Sequence, residues 1–419
     1  MVSKDREEWN TYQFSKVCNV NPSYKLERNK EHSYVEMAAV SESSPHLKYV
    51  QRKKYTGQSG SKFKNGDVLF ARITPCTQNG KTAHLTDLES EYGFGSTEFI
   101  VLSPKEEMLL GKYLYYFVKG NKVRSRAIAR MVGTTGRQRV PNEFFKEELE
   151  IELPSIQEQQ KIVTIFSSID EAIEKTEAII EQTEKVKKGL MQQLLTKGIG
   201  HTKFKETEIG KIPYEWELVR VSDLTREHKQ GYYTKDKYVE DGVYLIRITD
   251  LKNPKVDFSV MPKLDMDENI YEQFKVDKGD FLFARSGASI GRYGIVMEGD
   301  PKAVFASYLI RFKFDNQYVN NRYFGYFYES DACWKQIKSI IQGSSNPNIN
   351  ANNIKNLKIA LPSLSEQKRI ADILSSVDEK IYINMSMLQE FQTLKSGLMQ
   401  SLFTGKVRVK VDEVEVIKV

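Results

Sequence analysis

Leu153-Pro154-Ser155-Ile156-Gln157-Glu158-Gln159 and Leu361-Pro362-Ser363-Leu364-Ser365-Glu366-Gln367 open two stretches that also end alike, in Lys187-Lys188-Gly189-Leu190-Met191-Gln192 and Lys395-Ser396-Gly397-Leu398-Met399-Gln400. The copies align without a gap over about 47 positions, with about 19 identities, at a separation of about 208 residues. That separation is half the chain, so the protein is a duplication. Each copy reads as a long helix. Ser155-x-x-Glu158 and Ser363-x-x-Glu366 predict capping boxes, in which the Ser oxygen accepts from the backbone N–H three residues on and the Glu reaches back to the Ser N–H. Pro154 and Pro362 keep any upstream helix from running in. Gly198 and Gly405 are placed to cap the C-terminal ends.

Apolar residues recur at heptad spacing along both copies. The first has Ile162, Ile165, Ile169, Ala172, Ile179, Val186 and Leu190; the second has Ile370, Ile373, Val377, Met387, Phe391, Leu394 and Leu398. This predicts a coiled-coil seam. A helix of about 42 residues is about 63 Å long and cannot bury its own seam, so the copies are expected to pack antiparallel. Thr176, Thr183 and Asn384 fall at a-type positions, where polar groups can fix register. Gly189 and Gly397 lie inside the helices, where each costs about 1 kcal/mol relative to Ala. Either they are slack on a solvated face, or another helix, of this chain or a partner, approaches there.

The chain therefore reads as domain, helix, domain, helix: a first domain over 1–152, a helix over 153–199, a second domain over 200–360, a helix over 361–406 and a tail over 407–419. The domains match each other more weakly. Gly66-Asp67-Val68-Leu69-Phe70-Ala71-Arg72 answers Gly279-Asp280-Phe281-Leu282-Phe283-Ala284-Arg285, each a turn, a buried strand and an Arg at the strand exit. Phe94-Gly95-Ser96 answers Phe305-Ala306-Ser307. Lys112 to Phe117 answers Arg322 to Phe327, a short helix under a sheet, and Trp9 answers Trp216. The β-branched and aromatic content, with Gly, Asn and Asp at turns, predicts an α+β fold with a twisted mixed sheet in each domain.

With 419 residues, 40% hydrophobic and 28% charged, the composition is that of a globular protein with room for two or three cores. No apolar run approaches about 18 residues, so no membrane span is expected. The N-terminus lacks an apolar signal region. Cys18, Cys76 and Cys333 are odd in number and far apart, which predicts a reducing cytoplasm and neither disulfides nor a structural zinc. Five scattered His have no metal-ligand spacing. Net charge is +6, and residues 1–152 carry about +5 of it while 206–360 come out near zero. The first half is thus the stronger candidate for a polyanion surface.

Signs of catalysis are missing. No Asn/Asp-Pro-Pro-aromatic tetrapeptide is present. Asn79-Gly80-Lys81-Thr82 resembles the end of a phosphate-binding loop, but Pro75 stands where the earlier glycine is required. No acidic residue pairs with an evident base or nucleophile, so the chain is not expected to be an enzyme.

Taken together, Leu-Pro-x-x-x-Glu-Gln opening a long helix, Gly-Leu-Met-x-x-Leu-Leu-Thr-x-Gly closing it, and Gly210-Lys211-Ile212-Pro213 leading to Trp216 resemble the specificity subunit of a Type I restriction–modification enzyme, over nearly the whole chain. The first domain lacks the Gly-x-Ile-Pro lead-in. The resemblance implies two target-recognition domains, each reading one half of a split, asymmetric site in double-stranded DNA. It implies that the helices set the spacer and dock two methyltransferase subunits, through which restriction subunits (endonuclease and translocase) join. S-adenosylmethionine and ATP are then expected on those partners, with no cofactor or metal on this chain. Two other readings stand beside it: a helical adaptor that no longer reads DNA, and a DNA-modifying enzyme with its own active site.

Candidate DNA-contact residues follow from residue type. The stretch Lys119 to Arg139 holds Lys122, Arg124, Arg126 and Arg130, then a polar loop with Thr134, Thr135, Arg137, Gln138 and Arg139. Phosphates call for such cations, and Arg or Gln can bond base edges bidentately. Either the first part is a solvated helix face or it meets DNA. In the second domain the matching loop, Ser344, Ser345, Asn346 and Asn348, is uncharged. Phosphate attraction there falls to Arg285, Ser286, Ser289, Arg292 and Tyr293, matched in the first domain by Arg72, Thr74 and Gln78. Tyr233 and Lys235, after Gln230, are a further candidate turn.

Overall fold

The computed structural model describes residues 9–134, 136–286, 289–341 and 348–410. The chain divides into two compact units: unit 1 is Met1–Ile179 with Met385–Val419, and unit 2 is Ile180–Asn384. Both boundaries fall inside the long helices, which run Ile156–Lys197 and Leu364–Leu402. Each unit is therefore a globular domain plus the start of the helix that follows it and the end of the other.

The domains repeat one topology. In unit 1, Asn10–Gln13 pairs antiparallel with Glu150–Leu153 directly before the first long helix. In unit 2, Glu217–Arg220 pairs in the same way with Lys358–Leu361 before the second. Between them lies a four-stranded antiparallel sheet. Its order is Cys18–Val20, Phe99–Pro104, Val68–Ala71, Thr82–His84 in unit 1 and Thr225–Gln230, Leu309–Phe314, Phe281–Ala284, Tyr293–Ile295 in unit 2. The matched strands Val68–Ala71 and Phe281–Ala284 are buried along their length, as their unbroken apolar runs require. A second, mixed sheet holds a parallel pair in each unit, Glu31–Val35 with Tyr92–Gly95 and Val243–Ile246 with Ala303–Phe305. Helices Gly111–Lys119 and Asn321–Glu329 pack on the antiparallel sheets, as the aromatic blocks predict.

The long helices enter these cores. In unit 1, Phe166 of the first stacks on Phe403 after the second, ring centroids 5.6 Å apart, and Phe403 meets Tyr113 of the domain at 5.0 Å. In unit 2, Leu194 and Leu195 of the first share a core with Ile370, Ala371 and Leu374 of the second. The pairing within each unit is antiparallel, as expected, but the buried stripe differs from the predicted seam. It runs Gln159, Ile162, Val163, Phe166, Asp170, Ile173, Thr176, whereas Ile165, Ile169 and Ala172 are half-buried and Val186 is exposed. A helix packed on a domain and on another helix buries a wider face than a two-helix seam. Thr176 and Asn384 spend their polar groups on their own helices, donating to Ala172 O (2.7 Å) and Lys380 O (2.7 Å). At Gly189 and Gly397 an added Cβ would meet nothing within 4 Å, so among the described residues no helix of this chain approaches them.

Three polar fastenings, each present twice, explain the opening motif. Ser155 and Ser363 do cap, each accepting from the Glu backbone N–H at 3.3 Å. The Glu carboxylates do not close the boxes. Glu158, buried, accepts from Trp9 Nε1 (3.3 Å), Arg408 Nε (2.8 Å) and Val409 N (3.3 Å). Glu366 takes the same place in unit 2, accepting from Trp216 Nε1 (3.1 Å) and Ile199 N (2.9 Å) beside His201 Nε2 (2.9 Å). Gly198 and Gly405 stand at φ +64° and +65°, turning each helix end toward this carboxylate. Next, Gln159 bonds Leu110 N (3.0 Å) and Met108 O (2.8 Å), and Gln367 bonds Asn320 N and Tyr318 O at 2.8 and 2.9 Å. Last, Asp170 accepts from Tyr116 OH (2.7 Å) and pairs with Lys395, while Asp378 accepts from Tyr326 OH (2.7 Å) and pairs with Lys187 at 2.7 Å. Both Gln side chains are fully buried, so Gln159→Ala or Gln367→Ala should cost about 1–3 kcal/mol for each backbone group left unsatisfied. A lowered urea midpoint in either variant checks this.

Among the described residues, no helix is long and apolar enough to cross a membrane.

Candidate nucleic-acid interface

Arg72 and Arg285 leave their buried strands in the same way. Arg72 N–H donates to Glu98 O (2.9 Å) and its carbonyl accepts from Val140 N (2.8 Å). Arg285 N–H donates to Tyr308 O (3.2 Å) and its carbonyl accepts from Ile349 N (2.8 Å). Each arginine thus ties three chain segments together at one rim of its unit, and each lines a cleft.

In unit 1 the cleft holds about 410 Å³ and is lined by Asn21, Ser23, Lys62, Arg72 and Thr97. Arg72 Nη1 donates to Asn142 Oδ1 (3.3 Å), and its buried Nε has no partner among the described residues. Thr74 and Gln138, far apart in sequence, come together: Thr74 N donates to Gln138 O (3.0 Å) and Gln138 N to Thr74 Oγ1 (3.1 Å). A tight loop closes where Val132 and Arg139 exchange backbone bonds of 3.0 and 2.9 Å. Thr134 and Arg137 are exposed on it, as is Gln78 on the loop after Thr74. Thr135 lies outside the described residues. Arg139 is held by Glu98, with Nη2 and Nε at 2.7 and 2.9 Å from its oxygens, so it orders the loop. That pair holds its guanidinium pKa above the usual value, chiefly through the hydrogen bonds to Glu98.

The rest of the basic stretch goes elsewhere. Helix Asn121–Ala129 faces the end of the second long helix, where Met399 would lie 3.8 Å from a Cβ on Gly120. Arg126 donates to Glu148 O (3.1 Å), Arg130 pairs with the Glu148 carboxylate (2.7 Å), and Arg124 donates to Asn121 (2.7 Å). Lys122 is exposed. The sequence grouped these four with Arg137 and Gln138, but the structure does not: the helix packs toward the long-helix pair while the loop turns back to Arg72.

In unit 2 a cleft of about 610 Å³ is lined by Gln230, Tyr233, Arg285, Ser286, Tyr308 and Asn348. Ser286 and Asn348 form an isolated antiparallel bridge, which joins the arginine exit to the end of the polar loop. Gln230 Nε2 donates to Ser307 O (3.3 Å). Tyr233 and Tyr308 are 65% and 60% exposed, leaving two aromatic faces free at the rim. Lys235 and Arg292 are exposed and Ser289 is half-buried. Tyr293 is corrected: it lies in the core, stacked on Phe281 at 4.8 Å, with its OH on Glu329 (2.9 Å), and is not a surface group. Ser344, Ser345 and Asn346 lie outside the described residues. Sequence reasoning missed Tyr308, whose position directly after the matched Phe305-Ala306-Ser307 block was the available signal. Among the described residues no His, Cys, Asp and Glu cluster could hold a metal ion.

The clefts suit polyanion contact and base-edge reading rather than bond-making: they present arginines, amides, hydroxyls and aromatic faces. The family model for the Type I restriction modification DNA specificity domain matches twice, over residues 6–185 and 213–392. The Type I restriction enzyme MjaVIII specificity subunit of Methanocaldococcus jannaschii is 30% identical over 323 residues, 76% of this chain and 75% of that one. The putative MjaX specificity subunit of the same organism is 28% identical over 82% of this chain and 79% of its own. Among solved structures, the S subunit of the Type I restriction–modification system of M. genitalium superposes with a TM-score of 0.60 at 16% identity, covering 96% of this chain and 98% of that one. A chain from a structure on complex assembly in the type I R-M system superposes with 0.58 at 14% identity, covering 97% and 100%. The doubled fold, the doubled clefts and the two family matches have one conclusion: this chain belongs to the family of Type I restriction–modification DNA specificity proteins.

Proposed function

We propose that this chain selects the DNA sequence for a Type I restriction–modification complex, each unit reading one half of a split site and neither performing catalysis. The observation that carries this is the repeated strand-exit arginine, Arg72 and Arg285, framed by different side chains in the two units. The frame is shared and the lining is not, so the half-sites differ. The long helices set the spacer and dock two methyltransferase subunits, which bring the restriction subunits. S-adenosylmethionine and ATP belong to those partners, and the complex works in the cytoplasm.

Sequencing methylated bases after co-expression with the methyltransferase subunit gives the split site. Arg137→Ala should relax preference in one half-site and Tyr308→Ala in the other, each by about 1–3 kcal/mol for a lost base contact. Loss of the same factor on cognate and random DNA would show that these side chains position the backbone instead. A chain that binds methyltransferase but no DNA would be an adaptor. Native mass spectrometry reports the docking, with two methyltransferase subunits per chain expected.

A further inference from the structure

Each unit carries a groove beside the last turns of a long helix, at matching positions. In unit 2, Lys187, Met191 and Leu195 face Glu329 and Asp331 across about 290 Å³. In unit 1, the matching Lys395, Met399 and Phe403 face Lys119 and Asn121 across about 840 Å³. The helix side is written twice, and the domain side reverses its charge. The alignment of Tyr113 to Phe117 with Tyr323 to Phe327 sets Lys119 opposite Glu329.

The reversal changes how the charges are settled. Glu329 accepts from Lys187 Nζ (3.2 Å) and Tyr293 OH (2.9 Å), so unit 2 supplies its own carboxylate. Lys119 instead donates to two carbonyls, Glu42 O (2.8 Å) and Gly80 O (3.1 Å). Arg124 and Arg126, also lining the cavity, bond an amide and a carbonyl rather than an acid. Lys122 and Lys406 line it too and have no ion-pair partner among the described residues. Of the six lining cations Lys395 is settled on Asp170, which leaves Lys119, Lys122, Arg124, Arg126 and Lys406 against the lining carboxylates Glu42, Glu150 and Glu152. Burial, then the neighbouring Lys395 and Arg124, push the Lys119 ammonium down to about 7. An arriving carboxylate would restore its charge.

The floor is apolar, with Phe117, Met399 and Phe403. A phosphate backbone has no use for such a floor, and the acidic lip of the unit 2 groove repels one. A peptide segment suits both grooves. We propose that the unit 1 cavity receives an acidic segment of a methyltransferase subunit, its carboxylates against Lys119, Lys122 and Lys406 and an apolar side chain on Met399 and Phe403. The second subunit presents the same segment to the unit 2 groove and meets Glu329 and Asp331. The two docks are then unequal, unit 1 filling first and releasing more readily in salt than its contact area implies. This rests on the reading that methyltransferase subunits dock along the long helices.

The test titrates the cognate methyltransferase subunit onto the full chain at low and high NaCl, read by native mass spectrometry and sedimentation. Two steps of unequal affinity are expected, the tighter one the more weakened by salt. Gln400→Glu with Lys406→Glu, both exposed, should weaken that step by about tenfold or more, since like charges set against each other at an interface are costly. Asp331→Asn with Ala332→Lys, which gives unit 2 the residues of unit 1, should tighten the other step. DNA affinity of the chain alone should stay within twofold for both variants. Equal steps in the unaltered chain, an unchanged tight step in the first variant, or lost DNA affinity with partner binding intact would overturn the proposal. If the unaltered chain binds no methyltransferase subunit at any salt, the docking reading itself fails and the proposal falls with it.

Discussion

Asp170→Ala should cost unit 1 about 3–5 kcal/mol, because it leaves the Lys395 ammonium buried without its carboxylate. The pair is well sealed: Lys395 and Asp170 side chains are 13% and 9% exposed. Tyr116 OH loses its acceptor as well. Lys395→Met combined with Asp170→Leu should return most of the loss, since replacing both partners of a buried pair with apolar groups is often near neutral. Urea unfolding of the two variants checks the contrast. Asp378→Ala should act in the same way on unit 2 through Lys187 and Tyr326, though Glu329 remains on Lys187 and softens the effect. A small, equal loss in both single variants would mean that water reaches the lysines.

Adding one heptad to each long helix should lengthen the unread spacer of the DNA site and leave both half-sites unchanged. The insertions belong where the unit boundaries fall, after Ile179 and after Asn384, so that every fastening within a unit is kept. Seven residues preserve the helical phase and add about 10 Å at 1.5 Å each. Along B-DNA that is about 3 base pairs at 3.4 Å, with a change in rotation of about 100° given 10–10.5 base pairs per turn. Methylation of a library with randomised spacers measures the shift. An unchanged spacer in a folded, methylation-competent variant would show that something other than these helices places the reading units.

The duplication, the two long helices and the buried strand with Arg at its exit were legible because each is local and repeated. A cap, a turn glycine or an apolar run carries its meaning within a few residues, and a second copy confirms it. The seam register was not legible, because a heptad pattern cannot say that Phe166 answers Phe403 and Tyr116 at once. Nor could the capping-box spacing reveal that Glu158 and Glu366 turn from their own helices to a distant Trp. The basic stretch from Lys119 to Arg139 misled for a similar reason. Charge is read along the sequence, but Arg126 and Arg130 bend to Glu148 while Gln138 returns to Thr74.

The paired fastenings of Glu158 and Glu366 also set an order in time. Around Glu366 the chain segments come from Ile199 to Glu366, all inside unit 2, which is complete at Asn384. Around Glu158 they come from Trp9 at one extreme and Arg408 at the other. The unit 1 core also waits for Leu402, fully packed among Phe14-side residues, and for Phe403. A chain emerging from the ribosome N-terminus first cannot close unit 1 until the stretch from Leu402 to Val409 is free, whereas unit 2 can close earlier. The domain that is made first is thus finished after the one that is made second, and the capacity to read a whole site arises only once the residues from Leu402 to Val409 have emerged.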